Sequence, residues 1–274
     1  MKKIIGMVVL LAAICVLVFV ENPRFVSPEN LQNLTRHIAL LAIFAIGEGI
    51  VIISGGIDLS VGAVIAFGGV FLTVAITEWG VPPALAGVMV ILIGMAIGLW
   101  HGFLITKVRL QPFIATLCTM LILRGHSRVM VSEQTMGFGN GFPGVRALGD
   151  GFLLGIPSPV VILALVAIVA AFFMHFTVYG RYLYAIGRNP RAAEYSGVKV
   201  GRMQTISYVA CGGLAALAGI LYASYTNSVQ PASTGLMYEL YAIAGAVLGG
   251  CSLSGGQGTI IGILVGAAIM RVMA

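Results

Sequence analysis

The residues closest to known chemistry lie near the end of the chain, where Ser252–Thr259 reads SLSGGQGT. The letters LSGGQ are a signature sequence of transport ATPases, so this stretch taken alone predicts ATP hydrolysis. Such an ATPase also needs a P-loop, G-x-x-x-x-G-K-[ST], whose lysine reaches the phosphates of the nucleotide. None of the lysines, Lys2, Lys3, Lys107 and Lys199, follows a glycine. We therefore interpret LSGGQ as a glycine-rich helix break and expect no ATP chemistry in this chain.

Two carboxylates lie within or beside strongly apolar sequence. Glu48 lies inside the apolar segment 33–53, and Asp58 lies in ISGGIDLSVG, Ile53–Gly62. An ionisable residue in a membrane segment is costly and is by default a functional hypothesis. For Glu48, a pathway role and a buried neutral or paired carboxyl both fit. Asp58 follows two helix-breaking glycines, so it can either cap the next helix or belong to a pathway.

The other reactive residue types are scattered along the chain. Four histidines and four cysteines show no metal-ligand spacing and no C-x-x-C. There is also no H-E-x-x-H motif and no nucleophile next to a base. The sequence therefore predicts no metal, no cofactor and no catalytic residue, and it does not favour a membrane enzyme. The histidines are His37, His101, His126 and His175.

The composition identifies the solvent in which this chain folds. Of 274 residues, 59% are hydrophobic and only 9% are charged, against about 25% charged in a soluble domain. Too few charges are present to cover a water-facing surface, so the chain is predicted to be an integral membrane protein. The net charge of +6 comes from basic residues between apolar segments, which indicates membrane topology and not nucleic-acid binding.

Nine apolar segments approach the roughly 20 residues that a spanning helix needs. We expect an all-α, polytopic transmembrane helical bundle of nine or ten spans, with broken helices at two glycine-rich motifs. Residues 1–274 form one domain. The segments are 4–20, 33–53, 59–77, 84–106, 112–130, 158–177, 204–225, 239–249 and 259–273.

The arginines and lysines predict the orientation. Lys2 and Lys3 place the N-terminus inside, and the count of spans then places 106–111 and the basic segment 178–203 inside as well. The outside loops are 21–32, 78–83, 131–157 and 226–238. Glu239, at the start of the short eighth span, is expected at the outer interface.

Glycines suggest two further features. Gly55–Gly62 and Gly249–Gly256 share the pattern G-G-x-[DS]-L-S-x-G, and interrupted helices often mark a transport pathway. Glycines four apart form smooth strips at 94–102 and 258–266, which suit either packing inside the chain or contact with another subunit. The candidate pathway or helix-break residues are Glu48, Ser54, Gly55, Gly56, Asp58, Ser60, Gly249, Gly250, Ser254 and Gly255.

The inside segment 178–203 contains a short predicted helix. Asn189 before Pro190 is typical of an N-cap and first helical position, and Gly197 ends the helix. Ala192 and Ala193 would give it a smooth face. The segment is either an ordinary basic loop or a docking helix for a cytoplasmic partner. The candidate docking residues are Gly187, Asn189, Pro190, Arg191, Ala192, Ala193 and Gly197.

Three motifs, SGGIDLSVG, YAIGRNPRAAEYSGV and LGGCSLSGGQGT, occur in this order along the chain. Together they resemble permease subunits of bacterial ABC sugar importers of the ribose, xylose and galactofuranose type. Leu123–Thr135 is most similar to the galactofuranose type. The resemblance implies a non-enzymatic subunit in the bacterial inner membrane that moves a monosaccharide. It also implies a cytoplasmic ABC ATPase that docks at 178–203, a second permease in a homodimer or heterodimer, and a periplasmic sugar-binding protein. Lipid is a further partner, and nucleic acid is not.

Two expectations stay open at this point. Permeases of that family usually have about ten spans and end inside, whereas nine spans from an inside start leave Ala274 outside. Either a last helix is missing from this chain, or the short eighth span is not a full crossing. The alternative function is an ion- or proton-coupled secondary transporter that uses Glu48 or Asp58, which would have no need of the docking loop.

Overall fold

A computed structural model describes residues 2–274 of the chain, with side chains from Ile4 onward. It is 75% helical and contains 12 helices, which confirms the predicted all-α class. The helices are α1 Lys2–Glu21, α2 Pro28–Ile53, α3 Val61–Thr77, α4 Pro83–Thr106, α5 Pro112–Met130, α6 Pro143–Asp150, α7 Ser158–Ala171, α8 Val178–Arg188, α9 Pro190–Tyr195, α10 Val200–Thr226, α11 Tyr238–Leu248 and α12 Ile260–Met273. The side chains of Lys2 and Lys3, which the sequence assigns to the inside, lie outside the described part.

Five helices are long and apolar enough to cross a membrane, and the shorter apolar helices α3, α11 and α12 accompany them. The five are α1, α2, α4, α10 and α7 with its π-helical continuation Phe172–Phe176. Each predicted span corresponds to one helix. The ends follow local chemistry: the Ser27 side chain accepts a hydrogen bond from the Asn30 amide at the start of α2, and Thr259 accepts one from Gly262 at the start of α12.

Two helices form the centre of the bundle. Residues from Ala39 to Ile53 of α2 are buried, and α10 packs against α2, α3 and α4. The α4–α10 contact is close because glycines face backbone: a methyl group at Gly94 would overlap the Gly212 carbonyl oxygen, and one at Gly98 would overlap that of Tyr208. The first glycine strip therefore packs inside the chain.

The second glycine strip joins the last two helices. Methyl groups at Gly262 and Gly266 would overlap the carbonyl oxygens of Gly249 and Gly245 in and after α11. This close approach again uses the absence of side chains to bring two membrane helices together. Of the two readings of the strips, packing inside the chain is confirmed for both.

Two loops have more structure than the sequence analysis predicted. The loop 131–157, predicted to lie outside, contains α6 and a small hairpin of β1, Phe152–Leu153, and β2, Ile156–Pro157, paired antiparallel with Leu153 opposite Ile156. The segment 178–203, predicted to lie inside, contains α8 as well as the expected short helix α9. The helix α8 buries one face, with Gly180, Leu183 and Gly187, and exposes the other, a pattern that a search for continuous apolar runs does not detect.

Candidate functional site

The first helix break separates α2 from α3. The Ser54 hydroxyl donates to the Val51 carbonyl at 2.8 Å and lies 3.1 Å from the Ser207 hydroxyl of α10. Gly55 has φ +84°, a left-handed conformation that glycine adopts at little cost. Gly56 lies against the Tyr208 side chain, whose hydroxyl donates to the Ile57 carbonyl at 3.3 Å. The break is therefore held to α10 by hydrogen bonds at a depth where free polar groups are costly.

Asp58 does not cap α3 directly, contrary to one of the two roles considered. The helix starts at Val61, its N-cap residue is Ser60, and no side-chain cap bond is present there. Asp58 instead accepts hydrogen bonds from the Ser60 amide at 2.9 Å and the Ser60 hydroxyl at 2.7 Å. It fixes the turn that leads into the helix. Its own amide donates to the Glu48 carboxylate at 3.1 Å.

His101 of α4 is the residue that the sequence analysis missed at this site. Its Nδ1 lies 3.4 Å from Asp58 Oδ2, with both side chains buried. Neither ring nitrogen of His101 makes a well-aligned hydrogen bond, so His101 and Asp58 are close neighbours without a hydrogen bond between them. The two residues are 43 positions apart, which is why no local spacing could reveal the pair.

Glu48, Asp58 and His101 thus form one buried polar cluster, and each is at most 1% exposed. Among the described residues, no group of three or more His, Cys, Asp or Glu side chains is arranged to hold a metal ion. For Glu48, the structure shows the buried, hydrogen-bonded carboxyl that was one of its two readings. The cluster connects α2, the first break and α4.

The second helix break contains the LSGGQ letters. It separates α11 from α12, and the Ser252 amide donates to the Gln257 carbonyl at 3.1 Å, which closes a turn. Gly250 and Gly255 have φ +88° and +83°. The stretch is therefore a glycine-rich break before a membrane helix, as interpreted from the sequence. Ser254 is exposed and takes no part in the contact with the first break.

The two breaks touch. The Gly256 amide donates to the Ile53 carbonyl at 2.9 Å, and a Cβ on Gly255 would lie 3.0 Å from the Gly55 Cα. We call this contact between residues 53–56 and 255–256 the junction. It brings together the two stretches that share the G-G-x-[DS]-L-S-x-G pattern.

The helix α8 packs against the junction. A methyl group at Gly187 would overlap the Ile53 carbonyl oxygen and the Gly256 amide nitrogen. One turn earlier, the Tyr184 hydroxyl donates to the Gly258 carbonyl at 2.8 Å. Burial raises the pKa of Tyr184 to about 12, so this hydroxyl stays protonated and able to donate at physiological pH. Gly187 was expected on a docking surface. The structure instead buries it in close contact with the backbone of the junction.

The short helix α9 directly follows α8. The Asn189 side chain accepts a hydrogen bond from the Ala192 amide at 3.1 Å, and Pro190 occupies the first helical position, as predicted. Ala192 is exposed, but Ala193 is only 5% exposed and belongs to the core. The prediction that Ala192 and Ala193 form one smooth face was therefore wrong, because adjacent residues of a helix point in different directions.

Tyr195 at the end of α9 is 91% exposed. A large aromatic side chain held on a short helix, without contacts in its own chain, suits an interface with another protein. The sequence analysis did not select it. The sequence signal that could have identified Tyr195 was an aromatic residue in a segment otherwise rich in charged and small residues.

The segment before α11 lies along α3 and is partly buried. Val229 lies beside Gly69 and Gly235 beside Gly62, so residues 229–235 run antiparallel to α3. The Arg124 guanidinium of α5 donates to the Thr234 and Gly235 carbonyls at 2.9 and 2.8 Å. We call residues 228–237 the re-entrant segment.

The re-entrant segment leads into α11, whose first residue lies beside the middle of α2. The Tyr238 ring stacks on Phe44, near the middle of α2, with 5.6 Å between centroids. The 11 residues of α11 extend only about 16 Å, roughly half of the hydrocarbon core. The short eighth span is therefore not a full helical crossing. Glu239 is buried beside Gly62 and not at the outer interface as expected.

An arginine also anchors the outer loop. Arg36 of α2 is buried, donates to the Asp150 carbonyl at 2.8 Å and lies 3.4 Å from the Asp150 carboxylate. Its guanidinium lies 4.8 Å from the centre of the Phe152 ring. These contacts hold α6 and the hairpin in place. They leave Leu154 at the hairpin tip 97% exposed.

Comparison with known proteins identifies a family and several relatives of this chain. The family described as branched-chain amino acid transport system / permease component matches residues 30–274. The ribose import permease RbsC of Bacillus subtilis is 42% identical over 93% of this chain and 79% of its own length. The Escherichia coli inner membrane ABC transporter permease YjfF is 39% identical, over 91% and 76%. The E. coli galactofuranose transporter permease YtfT is 37% identical, over 92% and 72%. No solved structure matches the chain.

Proposed function

The chain belongs to the family of permease components described for branched-chain amino acid transport systems, and we propose that it moves a small sugar across the bacterial inner membrane. It would act as the membrane subunit of an ABC importer. The observation that carries the proposal is the similarity, over more than nine-tenths of the chain, to permeases for ribose and galactofuranose. The ribose permease is the more similar of the two over the whole chain, at 42% against 37% identity.

The proposed partners match the two sides of the protein. A cytoplasmic ABC ATPase would bind α9, where Ala192 and Tyr195 are exposed. A periplasmic sugar-binding protein would bind the hairpin around Leu154 on the other side. A second permease, identical or not, would complete the pathway. The basic segment 178–203 supports a cytoplasmic location for α9 and an N-terminus inside.

The contact of α8 with the junction suggests how ATP-driven motion would reach the pathway. The ATPase would move α9, and α8 is continuous with α9 through Asn189. Gly187 and Tyr184 would then transmit the displacement to both helix breaks at once. Helices interrupted by glycine can change angle at the break without losing internal hydrogen bonds elsewhere. The chemistry of ATP hydrolysis would belong to the partner alone.

The alternative, an ion-coupled secondary transporter, has less support. Asp58 and Glu48 are engaged with Ser60, His101 and the Asp58 amide, so both carboxylates have structural partners. Structural roles account for their burial without ion binding.

Uptake by the reconstituted complex tests the proposal. The chain is inserted into proteoliposomes with its ATPase and binding protein, and uptake of labelled ribose and of labelled leucine is measured with and without ATP. We expect ATP-dependent uptake of a sugar, no uptake of leucine, and no vanadate-sensitive hydrolysis by the chain alone. Uptake driven by a proton gradient without the ATPase would favour the secondary transporter, and hydrolysis by the isolated chain would refute the interpretation of LSGGQ.

A further inference from the structure

An apolar groove with a volume of about 940 Å³ lies between α4, α7, α8 and α10, apart from the junction. Its walls are aliphatic and aromatic along most of their length, with Met95, Leu165, Phe173 and Leu217 among them. Its inner end is different, because Lys199 and Arg202 lie there together with Tyr179 and Tyr182. The lining contains no aspartate or glutamate. We propose that this groove binds one anionic phospholipid, with an acyl chain along α10 and the phosphate at Lys199 and Arg202.

The length of the groove fits one leaflet. Along α10 its lining extends from Arg202 to Leu217, a distance of roughly 22 Å at 1.5 Å per residue. Half of a bilayer, with its headgroup region, is about 20–22 Å thick. The charged end therefore lies at headgroup depth when the apolar end lies near the bilayer midplane. If a helix of a second copy of the chain occupied the groove, nothing would require the groove to end near the bilayer midplane.

The charges at the inner end are available to a ligand. Among the described residues, no carboxylate lies within salt-bridge distance of Lys199 or Arg202. Tyr179 and Tyr182 add rings of the kind that concentrate at the interface between membrane and water. Basic pockets between membrane helices on the cytoplasmic side are typical sites for anionic headgroups. The leaflet depends on the orientation proposed above, whereas the lipid chemistry does not.

Small residues keep the groove open. Gly213 and Ala210 lie on the groove-facing side of α10, where bulky side chains would occupy the space of an acyl chain. Ile206, in the same lining, is 44% exposed, so the surface is apolar where no part of this chain covers it. An acyl chain would supply apolar contacts to these walls and needs no hydrogen-bond partner. A polar ligand would leave the apolar walls without matching contacts.

Native mass spectrometry of the purified full chain tests the proposal with two probes of equal acyl composition, phosphatidylglycerol and phosphatidylethanolamine. Each basic residue near an anionic lipid is worth about a factor of five in affinity, so two predict a preference of about 30-fold for phosphatidylglycerol. The variant Lys199→Gln/Arg202→Gln should lose the preference. Ala210→Phe should lower the binding of both lipids, because the phenyl ring fills the groove. Lys107→Gln/Arg109→Gln removes the same charge outside the groove and should behave like the unmodified protein.

Photocrosslinking keeps the test decisive if Ala210→Phe does not fold. Phosphatidylglycerol with a diazirine in its acyl chain should label peptides that contain Leu165–Phe173 and Ile206–Leu217 of the unmodified protein. Equal loss of preference in the Lys107/Arg109 control would show a general surface charge effect and overturn the proposal. Labelling elsewhere, or a crosslink between two copies through the groove in place of lipid, would overturn it as well.

Discussion

The amide of Gly256 donates a hydrogen bond to the carbonyl of Ile53 at 2.9 Å and so joins two helix breaks that are 203 positions apart. Both breaks are interruptions of membrane helices, where backbone groups without partners are costly. Each break therefore supplies a partner to the other. Gly187 of α8 closes the same contact from the side that leads to α9. The junction is the one place in the described chain where both pathway motifs and the proposed docking segment meet.

Gly187→Ala should weaken the junction. Its methyl group would overlap the Ile53 carbonyl oxygen and the Gly256 amide, and overpacking of a tight contact costs about 1–3 kcal/mol. We expect a lower midpoint of thermal unfolding in detergent and reduced sugar uptake. Gly125→Ala in α5 is the matched control, since no atom lies near its added methyl group and alanine favours a helix by about 1 kcal/mol. Equal midpoints for Gly187→Ala and the unmodified protein would contradict the close contact.

Asp58→Ala should destabilise the protein more than it changes sugar selectivity. The Ser60 amide, the Ser60 hydroxyl and His101 would all lose a buried partner. A buried polar group left without its hydrogen-bond partner costs roughly 1–3 kcal/mol. Adding His101→Leu to Asp58→Ala should cost less than the sum of the two single changes, because each single change leaves the other side chain unmatched.

Glu78→Ala is the control for Asp58→Ala, since Glu78 is exposed and has no salt-bridge partner among the described residues, and surface substitutions of this kind usually change the stability by about 0.5 kcal/mol or less. Unfolding midpoints and sugar uptake are measured for all variants. If Asp58→Ala assembles normally and uptake disappears, Asp58 belongs to the pathway and its role in the turn is secondary.

The sequence predicted the helices well because runs of apolar residues long enough to span a bilayer have few alternative structures. It also located both breaks, where Ser-Gly-Gly occurs, whereas the glycine pairs at 68–69 and 212–213 lie inside α3 and α10 without interrupting them. Contacts across the fold were not predictable in the same way. His101 reaches Asp58, and Gly187 reaches Ile53, only after α4 and α8 pack. The direction of Ala193 depends on a six-residue helix whose packing face is set by its neighbours and not by its own pattern.

The re-entrant segment was missed for a different reason. Residues 228–237 contain Ser, Gln, Pro, Thr and Gly, which is the composition of an external loop. Arg124 binds two of their carbonyl oxygens, and Val229, Thr234 and Gly235 are buried while Ser228, Gln230 and Ser233 are exposed. The contact with Arg124 joins the segment to a distant helix. Local sequence does not contain that information.

Arg124→Gln should loosen the re-entrant segment. The two carbonyl oxygens of Thr234 and Gly235 would lose a charged donor, and hydrogen bonds to charged groups contribute about 1.5–3 kcal/mol. Hydrogen exchange followed by mass spectrometry should show faster exchange in peptides covering 228–237. Arg128→Gln removes an exposed arginine from the same helix and should leave exchange unchanged. Unchanged exchange in Arg124→Gln would mean that α3 alone holds the segment.

Tyr195 and Leu154 allow the two proposed docking surfaces to be tested independently. Both side chains are almost fully exposed, so Tyr195→Ala and Leu154→Ala should leave the unfolding midpoint unchanged. Exposed aromatic residues at interfaces often contribute 2 kcal/mol or more, which is about 30-fold in affinity. We expect Tyr195→Ala to weaken co-purification of the ATPase by about that factor and to leave capture of the binding protein intact. Leu154→Ala should have the reverse selectivity.

Ala192→Glu extends the same experiment on α9. Ala192 is exposed beside the positions that would contact the ATPase, and a carboxylate there would be buried without a partner on docking, which is unfavourable. Ala193→Glu is unsuitable for this purpose, because Ala193 is packed in the core and its substitution should prevent folding. We expect Ala192→Glu to insert and assemble normally, to lose the ATPase in a pull-down and to lose ATP-driven uptake. Normal pull-down and uptake in both Ala192→Glu and Tyr195→Ala would exclude α9 as the docking helix and revive ion coupling through Glu48 or Asp58.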